Sequence, residues 1–316
     1  MKLTDRKVWV PVVVVALIVA PHLVYSGFLM KALCFALFAC AFNLLLGYAG
    51  VMSFGHAAFY GSGAYLAAYL LKHQQIEPFT AILIAAAGAA LLGIAFGLVA
   101  IRRVGIGFAM VTLALAQLVY FLALQPPLNQ ITRGEDGLQD VPRGHMFGFI
   151  DLSNSLVMYY VTAVITVGSI LAIKRIVSSP FGEVLLAIRE NERRASSLGF
   201  HTLRYKFLAF VISAFFSGLA GALKALVFQF AVLPDLSWHT SGEVVLTTLL
   251  GGLGTILGPV VGAFLLIMVE GYFAELNVPV PVVIGFFFVL CVTLFRRGVY
   301  GELRHRWLAK KQGEVR

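Results

Sequence analysis

Hydrophobic positions in this chain fall into long unbroken runs rather than alternating or helically spaced stripes. Nine stand out: residues 8–24, 28–46, 51–71, 79–101, 106–124, 156–173, 207–233, 244–269 and 280–295. A helix that crosses a bilayer needs about 20 mostly apolar residues. Each run therefore predicts a span, and the polar stretches between them are too short for a soluble domain. The first run follows Lys2, Arg6 and Lys7, as a signal peptide's apolar stretch would. Pro11 and Pro21 bracket it and no small-residue cleavage site follows, so a retained first helix is expected. The predicted fold is an all-α polytopic membrane protein with about 8–10 transmembrane helices, forming a single unit over residues 1–316.

Composition supports this. Apolar side chains make up 60% of the chain and charged ones 12%, against about half and a quarter in soluble domains. The net charge of +9 would suggest nucleic acid as a partner for a soluble chain. In a membrane protein the same excess marks cytoplasmic segments instead, so no nucleic-acid role is read here and the bilayer is the partner. Cys34, Cys40 and Cys291 all lie inside apolar runs; that spacing is neither a disulfide framework nor a metal site.

Basic residues set the expected sidedness. Segments 1–7, 102–103, 174–206 and 296–316 hold 19 of the 24 Lys and Arg residues, which places all four, and both termini, in the cytoplasm. Loop 125–155 is net acidic and is expected outside. Even numbers of runs separate the first three basic segments, but three runs lie between Lys206 and Arg296. One of them must fail to cross or break into two crossing pieces. The candidate is 244–269, which contains Gly251-Gly252-Leu253-Gly254 and Gly258-Pro259. A second glycine-rich stretch, Gly47 to Gly63, surrounds His56. Paired Gly/Pro-interrupted segments point to an internal repeat around a translocation path, so two inverted-repeat-like halves, 28–101 and 207–295, are expected.

Polar residues within apolar runs are functional candidates. Asn43, Ser53 and His56 have two readings: they line the path, or they bond to backbone freed by the local break. Gly251, Gly252 and Gly254 belong to the same candidate path. Glu243, Glu270 and Lys224 lie near span ends, where reaching water is the simple explanation. Asp235 and His239 fall in a short outer loop.

The cytoplasmic segment 174–204 is the strongest polar feature. Ser179-Pro180 starts a helix and Gly199 stops it. Val184, Ile188, Ala195 and Leu198 share a stripe that Asn191 interrupts, with Arg189, Glu190, Arg193 and Arg194 off it. Such a helix lies flat on lipid or docks in a groove on a partner. No Gly-Lys dipeptide occurs, so the chain lacks a Walker A loop, and it also lacks H-E-x-x-H and nucleophile-elbow patterns.

Several stretches resemble one family. They are Asn43-Leu-Leu-Leu-Gly-Tyr-Ala-Gly50, Ser53-Phe-Gly-His-Ala-Ala-Phe59, Ser179-Pro-Phe-Gly182, Ala187-Ile-Arg-Glu-Asn-Glu192, the run Phe210–Ala222, and Leu250-Gly-Gly-Leu-Gly-Thr-Ile-Leu-Gly-Pro259. Together they resemble bacterial branched-chain amino acid ABC transporter permeases. The Arg189-Glu190-Asn191-Glu192 run and Gly134–Leu138 resemble the M-type rather than the H-type subunit. The resemblance implies an inner-membrane importer of leucine, isoleucine, valine or similar small amino acids. Its implied partners are an H-type permease, two ABC ATPase subunits and a periplasmic substrate-binding protein. No cofactor is implied for this chain, since ATP would be used by the partner ATPases. The resemblance also makes 180–199 a coupling segment carrying Val184, Ile188, Arg189, Glu190, Asn191, Ala195, Leu198 and Gly199. Of the general coupling pattern Glu-Ala-Ala…Gly, Ala195 and Gly199 are kept, while Arg193 and Arg194 replace the opening residues. Permeases for urea and short amides are similar. An ion-coupled secondary transporter is the rival from another class, and the lack of Asp or Glu deep in the spans counts against it.

Overall fold

The computed structural model describes residues 18–275, 280–294 and 298–302. Most of the first expected span and of the basic tail therefore lies outside the described residues; of the former, 18–23 are helical. The rest is a helical bundle. A first helix, α1 (Ser26–Asn43), continues as a π-helical turn, Leu44–Ala49. Helices α2 (His56–His73), α3 (Pro78–Ala100) and α4 (Ile106–Leu124) follow. The loop after α4 holds a single turn, α5 (Asn129–Thr132), and a two-residue hairpin, β1 (His145–Met146) with β2 (Ile150–Asp151). Then come α6 (Ser155–Val177), α7 (Pro180–Glu190), α8 (Glu192–Ser197) and α9 (Thr202–Phe228). A 3-10 turn (Leu233–Leu236) leads to α10 (Trp238–Gly251), α11 (Gly258–Glu275) and α12 (Val280–Leu294).

Local chemistry sets several of these ends. Asn154 caps α6 by accepting from the Leu156 amide at 2.9 Å, and Pro180 opens α7, where its missing N–H costs nothing. Asn191 takes up an extended conformation and accepts from the Arg194 amide at 3.0 Å. It therefore splits the expected single helix 180–199 into α7 and α8, because an Asn side chain satisfies a free helix-end amide better than it continues a helix.

Chain direction follows from which ends meet. The connection after α3, the end of α7 and the start of α9 gather on one face, where Arg103, Arg189 and Lys206 line a common cavity of about 540 Å³. Opposite this basic face, loop 125–155 ties down the bundle. Lys72 donates to the Gln139 carbonyl at 2.5 Å, Arg143 donates to the Val227 carbonyl at 2.6 Å, and Leu138 bridges Ala231. The expected span 244–269 is two helices. α10 descends to the basic face and breaks at Gly251, and α11 climbs back until Glu270 meets Lys31, near the start of α1, at 2.7 Å. Four helices, α9 to α12, thus separate Lys206 from the basic pair 296–297, which restores an even count.

Two halves of opposite direction are visible in the packing. α1 packs on α11 as α9 packs on α3; α2 pairs with α3 as α10 pairs with α11; α4 lies on α3 as α12 lies on α11. In this inverted arrangement α1–α4 correspond to α9–α12. Their centre is tied by the Ala57 amide donating to Ser241 Oγ at 2.9 Å, and by Ser213 Oγ donating to the Ala41 carbonyl at 2.6 Å. The glycine-rich breaks are not mates in it, contrary to expectation. Segment 50–55 corresponds to 229–237 near the opposite face, while 252–257 packs against Asn43 and Gly47 at the end of α1.

Small residues explain how closely the helices approach. A methyl group on Gly221 of α9 would run into the Tyr60 carbonyl of α2, and one on Gly63 into the backbone of Gly218. In lipid, where burial of apolar surface adds no drive between helices, such close approach is what holds them together. α1 and α9 are wrapped by other helices, whereas α3, α4 and α6 keep exposed apolar faces.

Candidate functional site

Two broken helices meet on the basic face. α1 loses regular winding at Leu44 and ends at Gly50, whose φ of 70° suits glycine. The second break begins at Gly252 (φ 115°), directly after α10 ends at Gly251, and turns again at Gly254 (φ 71°). Irregular backbone at this depth survives only if protein satisfies its polar groups. Asn43, the last residue of α1 before the first break, does so for the second: Nδ2 donates to the Thr255 carbonyl at 2.8 Å, and Oδ1 accepts from the Gly254 amide at 3.1 Å. Thr255 Oγ1 then donates to the Gly252 carbonyl at 2.8 Å and accepts from the Gly258 amide at 3.1 Å. Gly47 has no room for a side chain between Asn43 and Gly254. The two breaks are therefore one hydrogen-bonded unit.

Arg189 of α7 completes it. Its guanidinium donates to the Gly47 carbonyl, its stem lies against Gly50, and its Nη1 lies next to Gly254. One side chain from the segment outside the bundle thus touches both breaks. On α7 and α8 themselves, Ile188 and Ala195 are 3% and 2% exposed, packed into the chain's own bundle. Two members of the stripe, Ile188 and Ala195, are thus taken up internally, as an amphipathic helix over an apolar bundle requires, while Val184 is half-buried and Leu198 stays exposed. The outward surface presents Leu186, Ala187, Glu190, Arg193, Arg194, Leu198 and Gly199, with Leu198 at 69% exposure. Asn191 caps α8 and is itself exposed.

The other candidates are structural ties in this conformation. His56 is fully buried among Phe42, Phe59 and Phe210, with ring centroids 4.9, 5.5 and 6.0 Å away and near-perpendicular planes. Because the Ser213 hydroxyl proton goes to Ala41, His56 Nε2–H donates to Ser213 Oγ, at 2.8 Å. Ser53 Oγ accepts from the Gly55 amide at 3.2 Å and is buried. Of the expected path residues the structure brings together Asn43, Gly251, Gly252 and Gly254; Ser53 and His56 stand apart, at the start of α2.

Sequence reading missed a second cluster. Glu243, Glu270 and Lys224 read in one dimension as separate span-end charges and Asp235 as an outer-loop residue, yet with Lys31 they line one cavity of about 140 Å³ toward the face opposite Arg189. A lysine and a carboxylate on one apolar helix pair were the available signal; the partners are too far apart in sequence for spacing to reveal them.

Inverted halves, broken helices joined at one face and an outer helix in contact with both breaks fit a polytopic membrane transport permease. The chain belongs to the family described as branched-chain amino acid transport system / permease component, whose profile matches residues 24–294. It is 29% identical over 257 residues to the high-affinity branched-chain amino acid transport system permease protein LivM of Escherichia coli K12, an alignment covering 74% of this chain and 60% of that protein. It is 26% identical to BraD of Pseudomonas aeruginosa, over 85% of this chain and 92% of the relative. LivH of Escherichia coli K12 is 26% identical over 75% of this chain and 80% of its own length. The chain thus spans about 60% of the length of the first of these relatives.

Proposed function

We propose that this chain is an M-type permease subunit of an ATP-driven importer for branched-chain or similarly small amino acids in a bacterial inner membrane. It pairs with a second, H-type permease. Two ATPase subunits dock on the basic face, which is cytoplasmic, and a soluble receptor delivers substrate to the face of loop 125–155. The names of LivM, BraD and LivH support the substrate class, and the bias of Lys and Arg supports the orientation. The single observation that carries the mechanism is Arg189, which joins the outward helix pair α7–α8 to both helix breaks. When the ATPase dimer closes, displacement of α7 pulls on Gly47 and Gly254 together. The unit held by Asn43 then moves as one body, so α1 and α10–α11 change access in a single step. Nucleotide stays with the partner subunits, and this chain contributes no bound cofactor.

The test is to purify the chain in mild detergent with its co-expressed neighbours and assay both ATP hydrolysis and leucine uptake after reconstitution. Co-purification of an ATPase and a second permease, with uptake that follows ATP, is the expected result. A chain that elutes alone and accumulates solute only while an ion gradient persists overturns the importer reading.

A further inference from the structure

We propose that the charged cavity bounded by Lys31, Lys224 and Glu243 binds the head group of a zwitterionic α-amino acid. This rests on the importer reading and gives it a binding site. The cavity is about 140 Å³, close to the roughly 150 Å³ hole that admits benzene in a protein core. It opens toward the face opposite Arg189: Lys31 and Glu270 are 44% and 33% exposed, while Lys224 and Asp235 lie deeper in the bundle.

The charge pattern is unbalanced in a specific way. Lys31 pairs with Glu270 and Lys224 with Asp235, each at 2.7 Å, and Lys224 and Asp235 are only 11% and 12% exposed. Glu243 lines the same space, and among the described residues no cation lies within ion-pair distance of it. Three carboxylates thus face two ammonium groups. Apolar replacements for buried ion pairs are often neutral or stabilising, so stability alone does not account for the enclosed Lys224–Asp235 pair beside Glu243. In membrane proteins such groups mark solute paths.

A zwitterion matches each part. Its ammonium supplies the cation that Glu243 lacks. Its carboxylate meets Lys31 and Lys224, each of which has three N–H donors and spends one on its paired carboxylate. Thr240 also lines the cavity, in the first turn of α10, so the positive end of that helix favours the same carboxylate. Phe35, Leu266 and Ile267 form the apolar wall an aliphatic side chain needs. Sidedness fits as well, since the cavity belongs to the half where a delivered solute would arrive.

The experiment uses the assembled importer in nanodiscs and equilibrium binding of three probes: L-leucine, 3-methylbutylamine, which keeps only the ammonium, and 4-methylpentanoate, which keeps only the carboxylate. Wild type is expected to favour leucine over either. Glu243→Gln is expected to lower leucine affinity at least about tenfold, as loss of one charge-assisted contact predicts, and to bring it down to that of 4-methylpentanoate. Should that variant fail to assemble, carbodiimide labelling of the wild type replaces it: leucine is expected to slow labelling of Glu243 and leave exposed Glu190 unaffected. Unchanged leucine binding in Glu243→Gln, or Glu243 labelling insensitive to saturating leucine, overturns the site while leaving ATP-driven leucine import standing. The amine binding as well as leucine would make this a plain cation site and overturn the zwitterion assignment. A complex that imports no leucine at all removes the importer's substrate class, and this proposal with it.

Discussion

Replacing Arg189 with methionine tests the coupling argument most directly. Methionine keeps an unbranched stem of similar bulk against Gly50 and removes only the guanidinium. What is lost is a hydrogen bond from a charged donor to the Gly47 carbonyl, together with the contact at Gly254. Bonds to charged groups contribute about 1.5–3 kcal/mol. Arg189 is an exposed residue, so the lower end applies, about 1.5 kcal/mol or roughly a tenfold change in an equilibrium. If that contact transmits the movement of α7, the variant should hydrolyse ATP near the wild-type rate while leucine moved per ATP falls about tenfold. The assay is paired measurement of phosphate release and leucine uptake in proteoliposomes holding the full complex. Arg189→Lys should recover part of the loss, because an ammonium still reaches the carbonyl as a point charge but cannot span to Gly254 as a planar group does. Unaltered stoichiometry in Arg189→Met would refute the reasoning, since the side chain that touches both breaks would then carry no coupling.

Three further outcomes follow from the packing. Ile188→Arg places a charge at a 3% exposed position; it should lower the yield of folded chain, at a cost of about 3 kcal/mol or more, measured by size exclusion after heating. Leu198→Arg, at a 69% exposed position, should leave the melting temperature unchanged but weaken ATPase co-purification, and an unchanged subunit ratio would exclude Leu198 from the docking surface. Gly221→Val should destabilise by about 1–3 kcal/mol or more, because its side chain would enter the Tyr60 carbonyl; a thermal midpoint equal to wild type would show that α2 and α9 separate easily.

Hydrophobic run length alone determined that this chain is a membrane bundle, since about 20 apolar residues have no other stable place. Charge parity over the basic segments required one of the three runs between Lys206 and Arg296 to be irregular, because a helix must end on one side or the other. Gly251 to Gly258 showed where, as glycine and proline end helices. Those are local or additive properties, and one dimension suffices to read them.

Tertiary structure decided everything that depends on which surfaces meet. The stripe of Ile188 and Ala195 announces an apolar face but not whose; the bundle takes it, because its own apolar surface is nearer than any partner's. His56 reads as a polar residue in a glycine-rich stretch, and only its enclosure by three phenylalanine rings and Ser213 makes it a strut. Asn43 and Gly254 are 211 positions apart, as remote in sequence as Lys31 and Glu270. Spacing carries no information at that range. Glu243 and Lys31 look like two separate groups reaching for water until the inverted packing of α1, α9, α10 and α11 closes a cavity around them.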